Sequence, residues 1–172
     1  MLTLPLGPPK APAPVVRPVY LHPGFVSATA TPSVISTLLG SCVAVGLWDE
    51  GAGVGGMNHF LLPHLAGRGV ASPRFGNVAM EQLLSRLVAA GARRHGRKAR
   101  RFGGACVLEA LRGIGGSLGR SNVEVAQRLL NEAGIPIVSA DVLGDRGRKV
   151  TFRTDDGSCT VRLLTGERHA IA

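Results

Sequence analysis

Aromatic side chains are scarce: one Trp, one Tyr and five Phe make up 4% of the 172 residues. A core built from this chain has to be aliphatic and rich in Ala and Gly. The overall hydrophobic fraction of 45% still excludes wholesale disorder. Cysteine is sparse as well. Three thiols without paired Cys-x-x-Cys spacing exclude a disulfide framework and a cysteine zinc site. Free thiols in a reducing, cytoplasmic setting are therefore expected. No apolar run approaches the ~18 residues of a membrane span, so membrane insertion is not expected. The opening Met1-Leu2-Thr3-Leu4-Pro5-Leu6 is too short for the ~7–15-residue apolar region of a secretory signal.

Acidic residues are also few, 11 against 20 Lys and Arg, for a net charge of +9. The excess is local. Arg93 to Arg101 reads RRHGRKARR, six cations and no acid, and without it the balance falls to +3. Such a run between a predicted helix and a predicted strand reads as a solvated loop. It also suits phosphate neutralisation, but interleaved aromatics are missing, so nucleic acid is not the expected partner.

The length fits one domain. Eight of the 11 prolines lie at or before Pro32. Proline fixes φ and removes an N–H donor, so residues 1–30 read as an extended tail and 31–172 as the domain. Within it, Val43, Val45 and Leu47 alternate with Ala44, Gly46 and Trp48, which predicts a strand. Asp49-Glu50-Gly51-Ala52-Gly53 is turn chemistry, and Val54 to Leu62 completes a hairpin. Met80, Leu83, Leu84 and Leu87 share one helical face, extended by Val88, behind a cap at Asn77 and before a stop at Gly91. Ser121 to Glu124 matches a capping box opening a second helix with Ala126, Leu129, Leu130 and Ala133 inward. Phe102 to Leu108, Ile135 to Leu143, Lys149 to Arg153 and Thr160 to Leu164 read as strands. Many strands and few helices predict an α+β fold, with layered, sandwich-like β-sheets and flanking helices in a single domain.

The densest chemical signal is Leu39-Gly40-Ser41-Cys42-Val43. Small residues beside Cys42 permit a tight turn that exposes a side chain. His59 lies 17 residues on, across the predicted hairpin. A Cys–His pair serves nucleophilic catalysis, the imidazole handling the thiol proton. Taken singly, each residue also suits a buried structural role. Ser36 lies six residues before Cys42, and period two places both on one strand face. Its hydroxyl would orient the imidazole, although strand Ser and Thr often only bond backbone. Thr37, one residue on, is expected on the opposite face. Cys106 and Cys159 read as structural. Gly51 to Gly56 leads into a strand rather than a helix, so it is a turn and not a dinucleotide loop. Gly113 to Gly116 reads as a loop. His64 and His95 lack metal-ligand spacing, and neither metal nor cofactor is expected.

Three blocks make the pattern specific: Leu39-Gly40-Ser41-Cys42-Val43-Ala44-Val45, Gly55-Gly56-Met57-Asn58-His59-Phe60-Leu61-Leu62-Pro63, and Arg74-Phe75-Gly76-Asn77-Val78-Ala79-Met80-Glu81. They resemble the CheD family of chemoreceptor glutamine deamidases. Phe102-Gly103-Gly104-Ala105, Gly119-Arg120-Ser121-Asn122-Val123 and Gly147-Arg148-Lys149-Val150 are similar to later blocks in the same order. The resemblance implies that Cys42 is the nucleophile and His59 its partner. It also implies that Ser36 stands where the family carries a threonine six before the cysteine. The implied reaction converts a receptor glutamine to glutamate through a thioester, with ammonia release and an oxyanion held by backbone N–H groups near Gly40 to Cys42. Implied partners are methyl-accepting chemoreceptor cytoplasmic domains and a CheC-type phosphatase. The basic run would then dock on receptor. A non-catalytic adaptor on the same fold is the alternative.

Overall fold

The computed structural model describes residues 16–67, 69–107 and 116–165. Expectations on residues 1–15 and on Gly113 to Gly115 lie outside them. The described chain forms nine strands and two helices: β1 Arg17–Tyr20, β2 Phe25–Thr29, β3 Ser33–Leu39, β4 Val43–Asp49, β5 Val54–Phe60, α1 Gly76–Ala89, β6 Arg97–Gly103, α2 Gly116–Glu132, β7 Ile137–Val142, β8 Arg148–Arg153 and β9 Cys159–Leu163.

The strands form two sheets, one of order β1-β3-β8-β9 and one of order β2-β5-β4-β6-β7. The fold is α+β and layered: sheet on sheet, with both helices on the outer face of the five-stranded sheet. Alternation along β4 explains the layering. Ala44 and Trp48 join Ile35, Leu39, Met57, Phe102, Val150 and Phe152 in the core between the sheets. Val43, Val45 and Leu47 face the other way, onto Met80, Leu83, Leu87, Ala126 and Leu130 of the helices. A strand covered on both faces must be apolar throughout, and every residue of β4 is buried.

The predicted hairpin pairs β4 with β5, Val43 opposite Phe60 and Asp49 opposite Val54. Asp49 closes the turn, its carboxylate accepting from the Ala52 amide at 3.2 Å. The expected tail contributes structure from residue 17 onward. Pro18 in β1 is tolerated because β1 is an edge strand, parallel to β3.

The basic run departs most from expectation. From Arg97 it is β6, beside β4 within the five-stranded sheet. Several of its cations have partners within the chain. Arg93 binds the Asp49 carboxylate at 2.7 Å. Arg100 donates to the Gly157 carbonyl at 2.7 Å and covers the Trp48 ring. Arg97 and Arg101 are themselves buried.

Both helix starts also differ. Phe75, not Asn77, is the N-cap of α1, and the Asn77 side chain instead accepts from the Leu65 amide at 3.0 Å. Ser121 lies inside α2, which begins at Gly116, so the capping-box pattern is incidental. Val88 and Ala133 are exposed rather than inward. No helix among the described residues is long and apolar enough to cross a membrane.

Candidate active site

Cys42 sits where the chain passes from one sheet to the other. β3 belongs to the four-stranded sheet and β4 to the five-stranded sheet, and Gly40-Ser41-Cys42 is the corner between them. The thiol is half-buried at the edge of the inter-sheet core. Burial pushes its pKa up, and its own backbone amide pulls in the opposite direction.

His59 lies on β5, 1% exposed, directly opposite Ala44. Cys42 immediately precedes β4 and packs against the same inter-sheet core as Ala44. Cys42 and His59 therefore lie on the two arms of one hairpin.

The hydroxyl bonded to the imidazole is that of Thr37, 2.8 Å from His59 Nδ1. Ser36 occupies the opposite face of β3, away from His59. The two residues thus exchange the places expected of them, for a specific reason. Period two holds only within a strand, and β3 ends at Leu39. The corner at 40–42 changes the phase, so a residue five before Cys42 faces the site and one six before does not.

Proton counting then fixes the tautomer. Thr37 Oγ1 donates to the Leu21 carbonyl at 2.7 Å, which can only accept. The hydroxyl has one hydrogen, so it must accept from His59 Nδ1–H. His59 Nε2 then carries the lone pair. That atom is buried and has no hydrogen-bond partner among the described residues. Burial lowers the imidazole pKa from 6.5 to about 4, with the Leu21 carbonyl opposing the shift. At neutral pH the imidazole is therefore neutral, with its lone pair on Nε2, and the Cys42 thiol is protonated.

The corner carrying Cys42 is tied down by two other elements. The Gly104 amide donates to the Cys42 carbonyl and the Ala105 amide to the Gly40 carbonyl, both at 2.8 Å. Gly103 adopts φ +103°, and a Cβ there would lie 2.1 Å from the Cys42 oxygen, so no other residue fits. From α2, the buried Asn122 donates to the Ser41 carbonyl at 3.0 Å and the Leu61 carbonyl at 2.9 Å. Asn122 and Thr37 are the two site residues that sequence reasoning missed or misplaced. The capping-box reading of Ser121 and Glu124 turned attention from the asparagine between them.

An open groove of about 620 Å³ lies alongside, lined by His22, Pro23, Gly24, Phe25, Leu61, Ser72 and Arg74. Phe25 of β2 is paired directly with His59. No cluster of three or more His, Cys, Asp or Glu side chains among the described residues is placed to hold a metal ion.

A sequence model of one family, described as CheD chemotactic sensory transduction, matches residues 61–163. A relative in Anaeromyxobacter dehalogenans, named probable chemoreceptor glutamine deamidase CheD 1, is 54% identical over 146 residues, 85% of this chain and 84% of its own. The chain belongs to the CheD family. Further CheD relatives, each named probable chemoreceptor glutamine deamidase, occur in Acidiphilium cryptum and Trichlorobacter lovleyi. The first is 47% identical, covering 81% of this chain and 73% of its own, and the second 43% identical, covering 83% and 88%. The CheD match to residues 61–163 begins after His59.

Proposed function

We propose that this protein deamidates chemoreceptor glutamine side chains, with Cys42 as nucleophile and His59 as its acid and base. The observation that carries the reading is the Thr37–His59 hydrogen bond at 2.8 Å. It leaves the imidazole lone pair on Nε2, the atom that this reading assigns to the Cys42 thiol proton. His59 Nε2 takes the thiol proton as Cys42 Sγ attacks the carboxamide carbon. The tetrahedral intermediate collapses with cleavage of the C–N bond, and His59 returns the proton to the departing ammonia. Water, deprotonated by the same nitrogen, then hydrolyses the thioester. It releases glutamate and the free thiol, so the receptor gains one negative charge per turnover.

The names of the relatives support the substrate class. The groove beside His59 is the surface on which a receptor segment would lie. A CheC-type phosphatase as partner and a cytoplasmic setting belong to the same proposal. The adaptor reading drew on Ser36 in place of a threonine, and Thr37 supplies that hydroxyl, so deamidation is preferred.

The test uses purified protein and a receptor cytoplasmic fragment, following ammonia release and a gain of about one dalton per site. Wild type should release ammonia and Cys42→Ala should not. A fully active Cys42→Ala protein sinks the mechanism.

A further inference from the structure

Each of three successive carbonyls at the corner accepts from a different donor. The Gly40 oxygen accepts from Ala105, the Cys42 oxygen from Gly104, and the Ser41 oxygen between them from the Asn122 side chain. The first two donors are adjacent backbone amides just after β6. The third is a single side chain reaching across from α2.

A trans peptide is planar, so the carbonyl of one residue and the amide of the next point in opposite directions. No cis peptide occurs among the described residues. Pulling the Ser41 oxygen toward Asn122 therefore turns the Cys42 N–H away from α2. The Ser41 and Cys42 amides donate to no other group among the described residues. The Cys42 amide and sulfur belong to one residue and are close neighbours. A substrate carbonyl attacked by that sulfur would develop its negative charge beside this N–H.

We propose that Asn122 is a positioning residue that locks the Ser41–Cys42 peptide plane so that the Cys42 amide serves as an oxyanion donor. The proposal rests on Cys42 being the nucleophile. The side chain suits the task. Its one nitrogen carries two hydrogens, and both are used, on Ser41 and on Leu61 just beyond His59. One residue thus spans the nucleophile corner and the end of the strand bearing the base. Aspartate would place a second acceptor against both carbonyls. Asn122 Oδ1 is buried with no partner among the described residues, so the amide is held by its donor side alone. Gly104 and Gly119 make the approach possible: a Cβ at Gly119 would lie 2.4 Å from the Gly104 oxygen, so α2 reaches the corner only because both are glycine.

The experiment separates oxyanion stabilisation from nucleophile reactivity. Deamidation needs an oxyanion donor, whereas alkylation of Cys42 by iodoacetamide is a direct displacement and does not. Wild type, Asn122→Ala and the isosteric Asn122→Asp are compared for kcat, KM, alkylation of the Cys42 peptide by mass spectrometry, and melting. Expected is a fall in kcat of about 10²-fold with little change in KM, as for loss of one oxyanion donor. Alkylation should stay within about 3-fold of wild type, because the thiol keeps its surroundings. If kcat is unchanged, or if deamidation and alkylation fall together in a folded variant, Asn122 is only a structural tie and the proposal is overturned. Should Asn122→Ala not fold, the decision passes to Asn122→Asp. Should that also fail, the amide of Cys42 is read in the wild type: slow, protected exchange of a resolved Cys42 N–H with solvent contradicts an available donor. Activity surviving in Cys42→Ala identifies failure of the Cys42 nucleophile assignment, and this proposal falls with it.

Discussion

Thr37 donates its only hydroxyl proton to the Leu21 carbonyl and accepts from His59 Nδ1, so it sets the tautomer as well as the ring orientation. A valine at that position would keep the shape and remove both bonds. Thr37→Val should lower kcat for ammonia release by about 10²-fold or more, the usual worth of a correctly placed general base. Burying the stranded Leu21 carbonyl and imidazole N–H should cost about 1–3 kcal/mol in a denaturation curve. Thr37→Ser should retain most activity, because the hydroxyl remains. Ser36→Ala should match wild type, since that side chain is on the other face of β3. A loss in Ser36→Ala comparable to that in Thr37→Val would show that the wrong hydroxyl has been assigned. The pair also shows where residue-level reading stops. The sequence suggests a hydroxyl just before Cys42 as the partner of His59. Which of two adjacent hydroxyls it is depends on where β3 ends, and no local pattern marks that end.

At the scale of elements, the hairpin of β4 and β5 and the α1 face were legible because their periodicities are strong and uninterrupted. The strand β6 was not. Six cations in nine residues look like solvated loop, and β-propensity offers no counterweight. Its Arg side chains are accommodated by partners distant in sequence: Arg100 by Gly157 and Ser139, Arg101 by the Val123 carbonyl. The glycines ending β6 carry a separate consequence. Gly103 combines φ +103° with the contact to the Cys42 carbonyl, whereas Gly53 in the β4–β5 turn has φ +65° and open space around it. Gly53→Ala should therefore cost only the left-handed backbone conformation, about 1–2 kcal/mol, and leave activity intact. Gly103→Ala should cost more, about 3 kcal/mol, and reduce ammonia release as well, because the corner bearing Cys42 must move. Urea midpoints together with initial rates decide this. Equal effects of the two substitutions on activity would mean that β6 does not hold the corner.

For the whole molecule, burial of His59 links the site to stability. The unfolded chain binds a proton near pH 6.5, and the folded protein refuses it until about 4. Stability is therefore complete above about pH 6.5 and falls as pH drops toward 4, by about 3 kcal/mol in total. Asp49 does not confuse this window. Its carboxyl is held well below the usual carboxylate range by Arg93, so its contribution is lost only at more acidic pH. Urea unfolding at intervals from pH 7.5 to 4 measures the slope, and His59→Gln should flatten it over this range. An equal slope in that variant would place the linkage elsewhere.

The net charge of +9 belongs at this scale too. The second half of its densest segment is built into the five-stranded sheet, with Arg97 and Arg101 buried and Arg100 half-buried, while Arg93 pairs with Asp49 at the surface. A nucleic-acid surface is thereby less favoured than composition alone suggests.

By itself, the sequence determined the α+β class and the hairpin that carries His59. Hydrophobic periodicity and turn chemistry act over a few residues, and a hairpin is a local object. Only the tertiary structure decided that Thr37 holds the imidazole, that β6 is an internal strand, and that Asn122 grips the nucleophile corner. Each of these depends on the packing of one sheet on another, or of a helix on a strand end. Their contacts join residues 22 to 81 positions apart, for which spacing in the chain carries no signal.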